Sequence, residues 1–94
     1  MGDGPVNRYM NISGAGTTVV STKSGVLVRV VVNALAISTG ITLYDNTAAS
    51  GTKIAAPSLG TTLLVLGPLE YECFFATGLT VVGAVGWDTT VVYQ

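Results

Sequence analysis

Glu70 and Glu72 are the acidic side chains whose spacing could carry chemistry. At i and i+2 of the extended segment "LEYECFF" they share one strand face, about 6.5–7 Å apart along it. Carboxylates separated by about 5–9.5 Å serve glycoside hydrolysis, and carboxylate oxygens also ligate calcium. Both chemistries need a cleft between the two groups, and same-face neighbours on one strand do not make one. A solvated or interface face is the simpler reading, with Arg29 or Lys23 reaching the glutamates from another strand or subunit. Histidine is absent, so no serine or cysteine nucleophile has an imidazole base. Cys73 is the single cysteine and lies in an apolar strand, where it reads as a small buried hydrophobe. One cysteine and no histidine supply neither an internal disulfide nor a zinc site. "SGAGTTV" offers Gly14-x-Gly16 without the third glycine or the βαβ unit of a dinucleotide site. "NIS" at 11–13 is a glycosylation sequon with no secretion signal beside it. The expectation is a protein that is not an enzyme, with no catalytic residue, no cofactor and no metal.

The 94 residues are 49% hydrophobic and 10% charged, against about 25% charged in typical soluble domains. Four basic and five acidic side chains are few with which to coat an isolated globule. Either a membrane or other protein covers the remainder. The uncharged stretches between Arg29 and Asp45, Lys53 and Glu70, and Glu72 and Asp88 are each shorter than the ~20 apolar residues of a spanning helix. A transmembrane barrel needs at least about eight strands of ~10 residues, longer than the strands expected here. Burial against other subunits is therefore favoured over a membrane. A net charge of −1 leaves no basic patch for nucleic acid.

Fourteen valines, thirteen threonines and twelve glycines suit strands and tight turns. The pattern predicts seven or eight short strands: 17–23, 26–33, 41–45, 52–56, 61–66, 69–75, 79–82 and 89–93. In "VLVRVVVN" the alternation sends Val26, Val28, Val30 and Val32 to the core, and Leu27, Arg29, Val31 and Asn33 outward. In "ITLYD", Ile41 and Leu43 face in and Thr42 and Tyr44 out, or the reverse. Such spacing points to an all-β antiparallel sandwich or jelly-roll-like barrel spanning 17–94. Residues 1–16, "MGDGPVNRYMNISGAG", carry glycines, a proline and no alternation. They also carry Val6, Tyr9, Met10 and Ile12, wasteful in a solvated tail, and so read as an extended arm that orders against a partner, with Arg8 among its contacts.

Two further features stand out. "DNTAASG" at 45–51 joins two strands; Asp45 and Asn46 favour an Asx-type turn, and its small side chains allow it to lie flat on a neighbour. Trp87, between Gly86 and Asp88, is a carbohydrate platform, an interface anchor, or a lid packed over the end of the fold.

"SGVLVRVVVN", "ITLYDNTAASGTKIA", "LEYECFFATGLTVV" and "DTTVVYQ" together resemble a group of small virion proteins of tailed bacteriophages. In those, a "G-x-L-x-R" strand precedes "Y-D-N-T-A-A-S-G", and an "E-Y-x-hydrophobic-x-F-x-x-G-L-x-V" segment and a terminal "V-x-Y" follow. The resemblance runs from about Ser24 to Tyr93. It implies a capsid decoration, or cement, protein on the head surface of the virion. It implies a homo-oligomer, a trimer by preference, that clamps the major capsid protein lattice. It carries the family's arginine onto Arg29 and its Tyr-Asp-Asn onto Tyr44, Asp45 and Asn46. The alternative is a tail, neck or fibre module of the same particle, receptor binding included.

Overall fold

The computed structural model describes residues 7–36, 39–56, 58–59 and 67–94. Ten strands follow one another with no helix among the described residues: β1 (Arg8–Ser13), β2 (Gly16–Ser21), β3 (Gly25–Ala34), β4 (Thr39–Gly40), β5 (Thr42–Asp45), β6 (Thr52–Ala55), β7 (Ser58–Leu59), β8 (Gly67–Phe75), β9 (Leu79–Gly83) and β10 (Asp88–Tyr93). They form two four-stranded antiparallel sheets, ordered β1-β10-β3-β8 and β2-β9-β5-β6, and a small β4-β7 ladder. Consecutive strands mostly change sheet; β5 and β6 are the one directly joined pair that stays within one. Such crossing brings residues distant in sequence side by side.

The core follows from alternation. Leu27, Val30, Val32 and Val91 come from one sheet, and Leu43, Leu79 and Val81 from the other. Phe75, Trp87, Ile41, Ile12 and Val20 complete one cluster. Burying each large apolar side chain contributes about 1.5–3 kcal/mol. Ile41 and Leu43 therefore face inward, the first of the two registers expected for that strand.

Three expectations need correction. Residues 8–13 are not an arm: they form β1, whose register runs from Arg8 opposite Tyr93 to Ser13 opposite Asp88. The alternation is present there after all, since Met10 and Ile12 face the core while Tyr9 and Asn11 face out. Gly14 and Gly16, read as signs of looseness, sit at φ 79° and 131° and turn the chain from one sheet into the other. Second, strict alternation fails in β3. Val28 is an extra residue against β10, and β8 carries its own extra residue opposite it, with Glu72 at φ 49°. These bulges return Leu27 to the core and turn Val26 outward beside Phe74. Third, the strand expected at 52–56 ends at Ala55. The strand expected at 61–66 lies outside the described residues.

Gly25 admits no side chain. A Cβ there would meet the Gln94 carbonyl and the ring of Phe75. Its bareness lets Val26 and Gln94 exchange two backbone hydrogen bonds of 3.0 and 2.8 Å, which extends the β3-β10 ladder to the last residue.

Candidate interaction surfaces

The outer face of the β1-β10-β3-β8 sheet assembles in rows. Tyr9, Val92, Arg29 and Glu70 lie side by side across its four strands, and Asn11, Thr90, Val31 and Pro68 form the next row. Val26 and Phe74 stand at its β8 side. Tyr9 is 75% and Phe74 67% exposed. The Arg29 guanidinium donates from Nε to Glu70 Oε2 at 2.9 Å. Arg29 thus has its counter-charge within its own chain, and Glu70 is committed to it. Glu72 sits in the bulge, so the two glutamates do not make a flat carboxylate pair.

A polar lattice crosses the same face. Asn11 and Asn33, on either side of β10, both donate from Nδ2 to Asp88 Oδ1 (2.8 and 3.0 Å) and to Thr90 Oγ1 (3.2 Å each). These bonds, Asn11 first, hold the Asp88 carboxyl below its ordinary value. Sequence reading missed this lattice because its members are 55 to 79 positions apart.

Asp45 and Asn46 turn out to organise loops. Asp45 accepts backbone N–H bonds from Ala76 (2.9 Å), Thr77 (2.8 Å) and Gly78 (3.4 Å), fastening the β5–β6 hairpin to the β8–β9 turn. The Ala76 N–H is the largest cause, and the set lowers the Asp45 carboxyl against a smaller opposing effect of burial. Asn46 accepts from the adjacent Thr47 N–H (2.8 Å) and donates to the Ser50 carbonyl (2.8 Å), so it closes the loop across four residues and not through the Asx-type turn expected from sequence, which bonds two residues on. Its own carbonyl accepts the Thr80 hydroxyl at 2.8 Å. Tyr44 is half-buried beside Lys53 and Thr80 on the outer face of the second sheet.

Trp87 is neither platform nor anchor. It is 2% exposed, and its indole N–H donates to Thr39 Oγ1 at 2.7 Å. Thr39 in turn donates to the Ala36 carbonyl at 3.0 Å, so the lid reading holds. Ile12 is likewise buried, which removes it from any contact surface, while Met10 is half-buried and packs against the core. Cys73 is half-buried, and burial pushes its thiol up, away from the reactive thiolate. Val6 lies outside the described residues.

Arg8 and Lys23 both line a half-open cleft of about 300 Å³, with Ser21, Thr22, Tyr93 and Gln94 among its other walls. Nothing in the sequence advertised this cleft: β1, the β2–β3 turn and the end of β10 build it from opposite ends of the chain. Among the described residues no group of three or more acidic, cysteine or histidine side chains is placed to hold a metal ion. No helix of the described residues is long and apolar enough to cross a membrane. No protein-family model matches the sequence, and neither a curated protein nor a solved structure matches it.

Proposed function

We propose that this chain is a structural subunit of a tailed-bacteriophage particle, a head decoration protein that lies on the capsid lattice and clamps adjoining capsomers. The observation that carries the reading is the outer face of the β1-β10-β3-β8 sheet. Tyr9, Val92, Val31, Val26 and Phe74 are gathered there, and the charges among them, Arg29 and Glu70, neutralise each other. A face of that composition gains by being covered. The resemblance of the segments around Arg29, Tyr44–Asn46 and Glu70 to virion proteins supports the same conclusion. An interface of about 800 Å² per partner is ordinary for such contacts, and repetition over a shell multiplies weak contacts into a strong one. The eight longer strands, numbered in chain order, run 1-8-3-6 in one sheet and 2-7-4-5 in the other. We read this order as a jelly-roll sandwich, an architecture frequent in viral shells. The reading contains no catalytic step, and the favoured assembly is a trimer on the major capsid protein.

The test is co-sedimentation of the purified full chain with heads that lack decoration, followed by a particle map, with light scattering for the mass. Saturable binding to heads is expected, weakened at least about tenfold by Phe74→Lys, which places a charge in the covered face. A monomer at high concentration that binds neither heads nor tails would refute the proposal.

A further inference from the structure

Four basic side chains serve the whole chain. Arg29 is engaged by Glu70, and among the described residues that is the sole ion pair. Arg8 and Lys23 both line the cleft, together with Gln94, and neither has a carboxylate within 4 Å among those residues, on a protein whose net charge is −1. Two cations that line one cavity, neither ion-paired among the described residues, favour an anion bound beside them. The hydroxyls of Thr22 and Ser24 supply donors, that of Ser21 being donated to the Lys23 carbonyl at 3.0 Å, and Tyr93 supplies an apolar wall.

The position of the cleft narrows the ligand further. β1 and β2 are each the first strand of their sheets, so among the described residues both present an unpaired edge, and the cleft is lined by Arg8 of β1 and Ser21 of β2. An extended polypeptide can pair with such an edge while alternate side chains enter flanking pockets. We propose that this cleft binds an extended acidic polypeptide segment, with a glutamate or aspartate carboxylate held between Arg8 and Lys23 and the backbone laid along a sheet edge. Arginine suits that carboxylate because its guanidinium can grip both oxygens. This deepens the proposed function by naming the chemistry of the partner, and the two can fail separately: the peptide test needs no particle.

The experiment titrates full-length protein with a blocked hexapeptide of alternating valine and glutamate, its glutamine analogue, and inorganic phosphate, at low salt, with amide NMR as readout. The glutamate peptide is expected to shift the signals of Arg8 and Ser21 to Gly25, and to bind at least about tenfold more tightly than the glutamine peptide. Arg8→Gln and Lys23→Gln should each weaken it by about tenfold, and Lys53→Gln, on the outer face of β6, should leave it unchanged. Equal binding of the two peptides, equal loss from Lys53→Gln, or no binding at all would overturn the proposal. Phosphate binding as tightly as the glutamate peptide would replace the polypeptide with a small anion and overturn it too.

Discussion

Thr89 and Thr80 are both buried threonines on central strands, and replacing each by valine should move stability in opposite directions. Thr89 is 1% exposed, in register with Ile12 on one side and Val32 on the other. Its hydroxyl has no hydrogen-bond partner among the described residues. A buried hydroxyl without a partner forfeits its hydration, at about 1–3 kcal/mol. Valine has nearly the same shape, so Thr89→Val removes that penalty without opening a cavity. The expected gain is about 1–3 kcal/mol, and about 4–8 °C of Tm accompanies each kcal/mol in a domain of this size. Thr80 is equally buried, but its hydroxyl donates to the Asn46 carbonyl at 2.8 Å. Thr80→Val breaks that bond and strands an acceptor, at a loss of about 0.5–1.5 kcal/mol or more. Urea denaturation of the three proteins, with equal m values, reads both effects. A fall in the Thr89→Val midpoint would show that the hydroxyl has a partner and that the reasoning about β10 is wrong.

Trp87→Phe removes the bond to Thr39 and part of the packed volume over the end of the fold, and should cost about 1–3 kcal/mol; thermal denaturation checks it. Stability should also fall in acid. Asp45 and Asp88 are both held below their ordinary value of 3.8, so the folded chain binds fewer protons than the unfolded one. Their contribution is complete above about pH 5 and is lost as pH drops through 3.8 toward the lowered folded values. Urea midpoints from pH 7 to pH 2 should trace that fall, and the double variant Asp45→Asn, Asp88→Asn should flatten it.

The all-β class was legible because valine and threonine recur at period two between glycine and proline turns. The inward side of Val30 and Val32 could be read from that pattern, whereas for Leu43 it left two registers open and only the packing decides between them. β1 was not legible, because glycines on both sides of "RYMNIS" look like slack chain. Those at 14 and 16 are the positive-φ hinges that let one strand leave a sheet and the next enter the other. The bulges at Val28 and Glu72 were invisible for a related reason: a one-residue insertion changes which side chain faces inward without changing composition. Trp87 could be read three ways because the polarity of its neighbours says nothing of the Thr39 hydroxyl that receives it. The cleft of Arg8 and Lys23 had no local signal at all, because its walls come from β1, the β2–β3 turn and the end of β10.

The use of charge ties these features together. Asp45 and Asp88 are spent inside the chain on backbone and amide donors, and Arg29 and Glu70 on each other. Among the described residues, Arg8, Lys23, Lys53 and Glu72 are left to give the surface its electrostatic character. Four scattered groups cannot steer a partner from afar, since screening confines each to about 10 Å. On the proposed reading, recognition therefore rests on shape, on apolar contact around Phe74 and on sheet edges, with one charged contact at the cleft to fix the register. Such an interface should respond weakly to salt, with the cleft as its one ionic contact. Raising salt from 50 to 500 mM should thus cost little in particle binding, and the residual salt dependence should vanish in Arg8→Gln, Lys23→Gln. A steep salt dependence that survives both substitutions would place the recognition elsewhere.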